Sequence, residues 1–465
     1  MSVYTESDGE LRWAAADTRG TAMTTPIISI DGHVKAPRAV YRDYLDPQYR
    51  DAYDEVLRAA EGQPDGFVHP ALDPSVQWDG PGRLAALEPE GVVAEVLIPN
   101  GTPFPEGNAD VVPDSELARA GCRAYNRWLV DFCATAPGRF SGQAQVSFDD
   151  VALAVADIHE IADQGLGGIL MPPLHPESHY FFQPELDPIW AAIEEVGLPL
   201  TQHGGTGAPT YKGTDGFASL MVRAAEHSFF SGRSLWQMIL GGVFDRFPGL
   251  RLVFVETEAW WVAPMIHQLD RRATAGDDWS EFAELINLHK THERLPSEYW
   301  ASNCYAGVSP FTPEQVDLTA QGDGFSIGPA NAMVGLDFPH PEGIYGSTAA
   351  KLAPLRDDGG LSSTDLDLLL FSNAADVYGF DRAALTEPAE RLGLVVPLFV
   401  LTAFLVVRRW SSPWRPVHLS ALVATFWTLG FEMFERFPAE YFKYIAIVTA
   451  IAMSTVPFLA GALGL

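Results

Sequence analysis

The sequence predicts an α/β chain, a closed (β/α)8 TIM barrel followed by an all-α, membrane-spanning extension. Three observations predict it. Eight short apolar runs alternate with helix-like stretches, ionisable residues stand at the ends of several of those runs, and charge thins out abruptly after about residue 390. Alternating strand and helix patterns signal parallel β/α units, which close into a ring at eight repeats. Such a barrel needs about 250 residues or more. A chain of 465 residues holds one with room for an appendage.

Taken in order, strands are expected at 27–33, 92–98, 142–148, 167–172, 198–203, 250–256, 299–304 and 332–337. Helical patterns follow at 114–136, 151–164, 185–196, 232–246, 259–274 and 312–320, with 364–380 closing the ring. No GxGxxG follows the first strand, which argues against an open dinucleotide-binding sheet. Two Gly- and Pro-rich loops, 61–82 and 100–113, are expected to rise over the C-terminal face, where barrel active sites sit. The barrel is assigned to residues 27–385 and preceded by a flexible leader over 1–26. The leader carries Glu6, Asp8, Glu10, Arg12 and Asp17 without an apolar run, so no signal peptide is expected there.

Residues 386–465 form the extension, with candidate spans at 392–407, 417–431 and 444–465. The last is free of charge and, at ~1.5 Å per residue, is long enough for a hydrocarbon core of about 30 Å. Arg408, Arg409 and Trp410 follow the first run like interfacial anchors. Membrane association with the barrel in the cytoplasm is expected; oligomerisation helices are the alternative for these runs.

Composition narrows the partners. Sixty Asp and Glu against 30 Lys and Arg leave a formal charge of −30. That repels phosphate backbones, so nucleic acid is excluded and a small-molecule substrate is expected. The three cysteines, Cys122, Cys133 and Cys304, are too scattered for a disulfide framework or a CxxC site, which fits a reduced cytoplasmic barrel.

Asp31-Gly32-His33 ends the first apolar run. In a strand, positions i and i+2 share a face, so carboxylate and imidazole point into the barrel mouth as a two-ligand half-site. His203, Glu256 and Asp337 end the fifth, sixth and eighth runs, and Asp337 is followed by Phe338-Pro339-His340. Ionisable groups at these strand ends face one rim, where a lone Asp or His would read as a loop cap. His175, after the fourth strand, and His340 are placed on the same rim, for substrate contact or for holding loops. Arg233 precedes an apolar helix and is read either as a bidentate partner for a substrate carboxylate or as a surface ion pair.

With these residues in hand, the stretch from about Ile28 to Phe380 resembles the amidohydrolase-related group typified by aminocarboxymuconate semialdehyde decarboxylase. The signature Leu336-Asp337-Phe338-Pro339-His340 is the most specific part of the likeness, supported by Gly232 to Trp236 and Phe244 to Pro248. The resemblance implies one divalent metal, zinc in the first instance, held by Asp31, His33, His203 and Asp337, with Asp337 also relaying a proton. Two positions depart from the family pattern. Asp31 stands where H-x-H or E-x-H is usual, and Glu256 stands where the decarboxylase has a histidine. Glu256 is read as the acid/base, or as a further ligand. The expected enzyme is a decarboxylase or hydrolase acting on a small carboxylated or carbonyl compound through a metal-activated water. A catalytically silent barrel serving as a membrane-tethered scaffold is the competing reading.

Overall fold

A computed structural model describes residues 25–62, 68–101, 103–104, 115–174, 179–205, 216–274, 292–309, 327–357 and 361–392. Eight parallel strands run in sequence order: β1 (Ile27–Val34), β2 (Val92–Pro99), β3 (Phe140–Gln145), β4 (Gly168–Leu170), β5 (Leu200–His203), β6 (Leu252–Val255), β7 (Cys304–Val308) and β8 (Ala332–Val334). β8 returns to β1 through a parallel bridge between Gly32 and Phe338. The His33 amide donates to the Phe338 carbonyl at 2.6 Å, and the Phe338 amide to the Asp31 carbonyl at 3.3 Å. The barrel is therefore nearly closed, and its seam lies beside the residues singled out for chemistry.

Strand residues alternate between two apolar clusters, as a period of two requires. Leu252 and Phe254 pack with the surrounding helices, while Val253 and Val255 join Ile28, Ile30 and Met333. The second cluster is capped by Phe371, Ala374 and Tyr378 from the stretch expected to close the ring. That stretch is built as Ser363–Asp367, the π-helical turn Leu368–Ser372 and Asn373–Tyr378. Asn373 Nδ2 ties it to the Pro329 and Ala332 carbonyls, both at 2.8 Å.

The seventh strand corrects the sequence reading. Residues 299–303 belong to a helix, Pro296–Asn303, and the strand begins at Cys304. Tyr299 and Trp300 look like strand residues, yet Pro296 opens a helix and Glu298 accepts from the Leu295 amide at 2.7 Å as its cap. The helix expected at 232–246 starts earlier, running over Phe217–Leu240, and breaks at Gly241-Gly242 before a short turn Val243–Arg246. The loop expected at 61–82 holds the turn Pro74–Gln77 and the start of helix Gly80–Leu87. The helix expected at 312–320 and most of the loop 100–113 lie outside the described residues.

The short helix Thr386–Arg391 packs with the barrel: Ala389 is buried and Arg391 forms a two-pronged pair with Glu88. The candidate spans fall, apart from Leu392, outside the described residues. Among the described residues no helix is long and apolar enough to cross a membrane.

Candidate metal centre

Placing Asp31 and His33 together takes more than strand alternation. Ile28 and Ile30 lie in the second apolar cluster, so simple alternation would turn His33 away from them. Between Ser29 and Gly32 the β1–β2 register slips: Ser29 pairs with Glu95 and Gly32 with Leu97. One extra residue on β1 resets the alternation and re-aims the side chains that follow. Elsewhere on the rim, Glu256 and Asp337 leave their strands with φ of 52° and 55°. Such left-handed conformations cost non-glycine residues about 1–3 kcal/mol and persist where surroundings over-determine them. His227 Nε2 donates to the Glu256 carbonyl at 2.5 Å, and the Asp337 carbonyl accepts from the His340 amide at 2.9 Å.

His33 is the hub of the resulting cluster. Its Nε2 lies 3.1 Å from His203 Nε2 and 3.8 Å from Glu256 Oε2, while Glu256 Oε2 lies 2.9 Å from His203 Nε2. Asp31 Oδ1 is 3.7 Å from both His33 Nδ1 and His203 Nε2. On the other edge of the ring, Asp337 Oδ1 stands 3.3 Å from His33 Nδ1 and 2.9 Å from His340 Nδ1. The His340 ring stacks on His33 with centroids 4.0 Å apart.

Asp31, His33 and Asp337 are buried, and Asp31 Oδ1 and Asp337 Oδ2 have no hydrogen-bond partner among the described residues. Buried carboxylates left without a compensating charge cost several kcal/mol each. Asp31, His33, His203 and Glu256 offer ligand atoms within reach of one another, and Asp337 and His340 form a second such set with His33; mixed carboxylate and imidazole sets of this kind fit a divalent cation.

The amidohydrolase family profile matches residues 30–380, more than half of the chain. The chain belongs to the amidohydrolase family. It is 22% identical over 286 residues to gamma-resorcylate decarboxylase of Rhodococcus jostii, a match covering 58% of this chain and 80% of that protein. Among solved structures, an amidohydrolase from Mycobacterium avium subsp. paratuberculosis aligns over 77% of this chain and all of its own, with TM-score 0.56 and 19% identity. The 5-carboxyvanillate decarboxylase of Sphingomonas paucimobilis gives TM-score 0.54 and 20% identity over 77% of this chain and 100% of that one. A dihydroxybenzoic acid decarboxylase from Polaromonas, solved with bound manganese and 2-nitroresorcinol, gives 0.53 and 15% over 78% and 99%. At these identities the structural likeness is one of fold.

Within this amidohydrolase the electrostatics follow from burial and from the crowding of carboxylates. Burial, with His340 and His203 alongside, holds the His33 imidazole well below its usual range, in the neutral form a metal ligand needs. Burial opposes charge on His203 as well, yet Glu256 and Asp31 push it well above the usual range. Glu256 is raised by burial and lowered more by His203, so it ends below the usual carboxylate range. Burial pushes Asp337 up to about 8 against the hydrogen bond from His340, with the charges of Asp31 and Glu256 adding to the rise.

Of the predicted residues, Asp31, His33, His203, Glu256, Asp337 and His340 meet here. They do so as two sets joined through His33, one with Asp31, His203 and Glu256, the other with Asp337 and His340. The Arg233 guanidinium lies 6.0 Å over the Tyr180 ring, half-buried, and makes no ion pair among the described residues. His175 lies outside the described residues. Sequence reasoning missed Ser309, just beyond β7, whose hydroxyl donates to Asp31 Oδ2. It also missed His227, and Asn100, whose Nδ2 donates to His340 Nε2 at 3.3 Å and so leaves the His340 Nδ1 proton facing Asp337. The displaced seventh strand hid Ser309; a corrected strand end would have pointed to it.

Proposed function

We propose that this amidohydrolase is a metal-dependent carboxy-lyase that removes CO2 from a small carboxylated aromatic, with hydrolysis of a carbonyl compound as the other reaction its fold supports. The cluster of buried, unpaired carboxylates around His33 carries the metal part. The names of three of the relatives, decarboxylases of gamma-resorcylate, 5-carboxyvanillate and dihydroxybenzoic acid, favour decarboxylation. The ion is assigned to Asp31, His33, His203 and Asp337. A mixed carboxylate and imidazole set suits manganese as well as zinc, and manganese is the ion bound in the Polaromonas relative. When bound, the ion supplies positive charge that orients substrate oxygens and lowers the pKa of a water towards ~7.

The chain's own residues do the rest. In decarboxylation the bond from ring to carboxylate breaks, its electron pair stays on the ring carbon, and a proton from the protein takes the vacated place. Glu256, 2.9 Å from His203, is assigned that transfer as a relay: its carboxylate takes a proton from water and passes it to the ring carbon. It also lies close enough to be a ligand. Glu256→Gln separates the roles, because the amide cannot move a proton: metal retained with activity lost supports the acid/base role, and loss of both makes it a ligand. His340, stacked on His33, is assigned to substrate contact together with His175 and Arg233. The silent-scaffold reading draws no support from a site built of strained, unpaired ionisable groups.

CO2 release from a panel of hydroxylated benzoates and semialdehyde acids, with and without chelator, tests the reaction. Chelator-sensitive CO2 release is expected. Hydrolysis of esters or amides without CO2 release would put the enzyme on the hydrolytic side. The apolar runs beyond Leu392 are proposed as a membrane anchor, leaving the barrel in the cytoplasm. Sedimentation of the full chain with membranes, resistant to alkali, is the expected result, and a soluble full chain would remove the anchor.

A further inference from the structure

Behind the cluster lies a second group of buried charge that neither the family signature nor the proposed chemistry uses. Arg83, on the helix Gly80–Leu87, and Glu95, in the middle of β2, are both wholly buried. They form a bidentate pair, Nε to Oε2 at 2.5 Å and Nη2 to Oε1 at 2.8 Å. The remaining donors reach main-chain carbonyls. Nη1 donates to His33 at 2.9 Å and to Val76 at 3.1 Å, and Nη2 donates to Phe338 at 3.1 Å. The guanidinium also lies 4.6 Å from the centre of the Phe338 ring.

Those carbonyls are informative. One belongs to His33, the hub of the site, and another to the residue after Asp337. Both sit at the β8–β1 seam, where the strands share a single bridge. Val76 belongs to the long connection between β1 and β2. A planar fork with five donors can hold three segments at once, which a point charge cannot. The pair also explains the middle residue of Asp31-Gly32-His33: a Cβ on Gly32 would fall 2.1 Å from Glu95 Oε1 and 2.7 Å from Arg83 Nη2. Only glycine lets the ion pair pass directly beneath the two site residues.

We propose that Arg83, held by Glu95, is a positioning residue that sets the spacing of His33 and Asp337 across the seam, and so tunes affinity and geometry at the metal centre without touching the ion. The inference rests on the metal-site reading above. Outer partners of metal ligands set affinity by about 10–100-fold, and loss of Arg83 is expected to fall in that span.

The test separates positioning from folding. Removing one partner leaves a buried charge alone, whereas replacing both with apolar residues of similar volume is often neutral. In the full chain, Arg83→Met/Glu95→Leu is compared with the wild type by CD melting, by chelator competition for Mn2+ and by the visible spectrum of bound Co2+. The expected result is a fold retained to within a few degrees, a Kd for Mn2+ raised about 10–100-fold, and shifted Co2+ bands. Unchanged Kd and spectrum in a folded double variant overturn the proposal. If that variant does not fold, Arg83→Lys decides: it keeps the charge opposite Glu95 but not the fork, and weakened metal binding is expected, while wild-type binding overturns the inference. A wild-type chain that takes up neither ion would sink the metal-site reading instead.

Discussion

Two groups of buried charge flank β1, and they are built in opposite ways. Around Arg83 and Glu95 every charge is answered: the carboxylate has a bidentate cation, and the guanidinium spends its donors on that carboxylate and three carbonyls. Around His33 the balance is left open. Asp31 Oδ1 and Asp337 Oδ2 are buried without a hydrogen-bond partner among the described residues, and no Arg or Lys is paired with them there. A chain able to satisfy a buried carboxylate a few ångströms away does not leave others exposed to that cost for the sake of folding. The difference marks the closed group as scaffold and the open group as the place for a cation from solution.

Breaking the closed group should have the largest effect on stability. Arg83→Met alone strands Glu95 and is expected to cost about 3–5 kcal/mol in chemical denaturation. The open group should behave in the reverse sense. Metal added at about 100 times its Kd is expected to stabilise the fold by roughly 2.7 kcal/mol, read as a rise in melting temperature absent from His203→Ala.

Asp337 sharpens the comparison through pH. Its folded-state pKa is raised to about 8. A carboxyl raised in this way contributes most below its unfolded value and loses that contribution as pH climbs through the folded one. Metal-free protein is therefore expected to lose stability between about pH 4 and pH 8, and Asp337→Asn should flatten that slope while lowering metal uptake. A pH slope that Asp337→Asn leaves unchanged would contradict the assignment of Asp337 as a carboxyl raised by burial. Smaller effects follow at the periphery. Ser309→Ala removes the donor to Asp31 Oδ2 and is expected to weaken metal binding about tenfold with little change in folding. Arg391→Ala, at a solvent-exposed pair with Glu88, is expected to leave the denaturation midpoint close to that of the wild type.

Much of the site was legible because barrel topology converts strand ends into neighbours. The Asp31-Gly32-His33 stretch, His203, Glu256 and Asp337 are far apart in sequence, but each ends an apolar run, and the eight runs close on one rim. What escaped was whatever depends on register or on the long connections. Tyr299 and Trp300 have strand-like chemistry inside a helix, which displaced β7 and concealed Ser309. The extra residue between Ser29 and Gly32 cannot be read from one strand, because a bulge is a property of a pair. Arg83 lies in a connection read mainly as loop, and nothing in its neighbours points to a glutamate in the middle of an apolar strand. Arg233, read from sequence as a substrate partner or a surface ion pair, lies over Tyr180, a contact that sequence position alone does not reveal.

The central claim is that His33 and its carboxylate neighbours hold one divalent ion. Equilibrium dialysis of the full chain against Mn2+, with bound metal counted per chain, tests it most directly. The expected result is one ion per wild-type chain and little in folded His33→Ala or His203→Ala. No bound ion in the wild type, or an undiminished count in both variants, would contradict it.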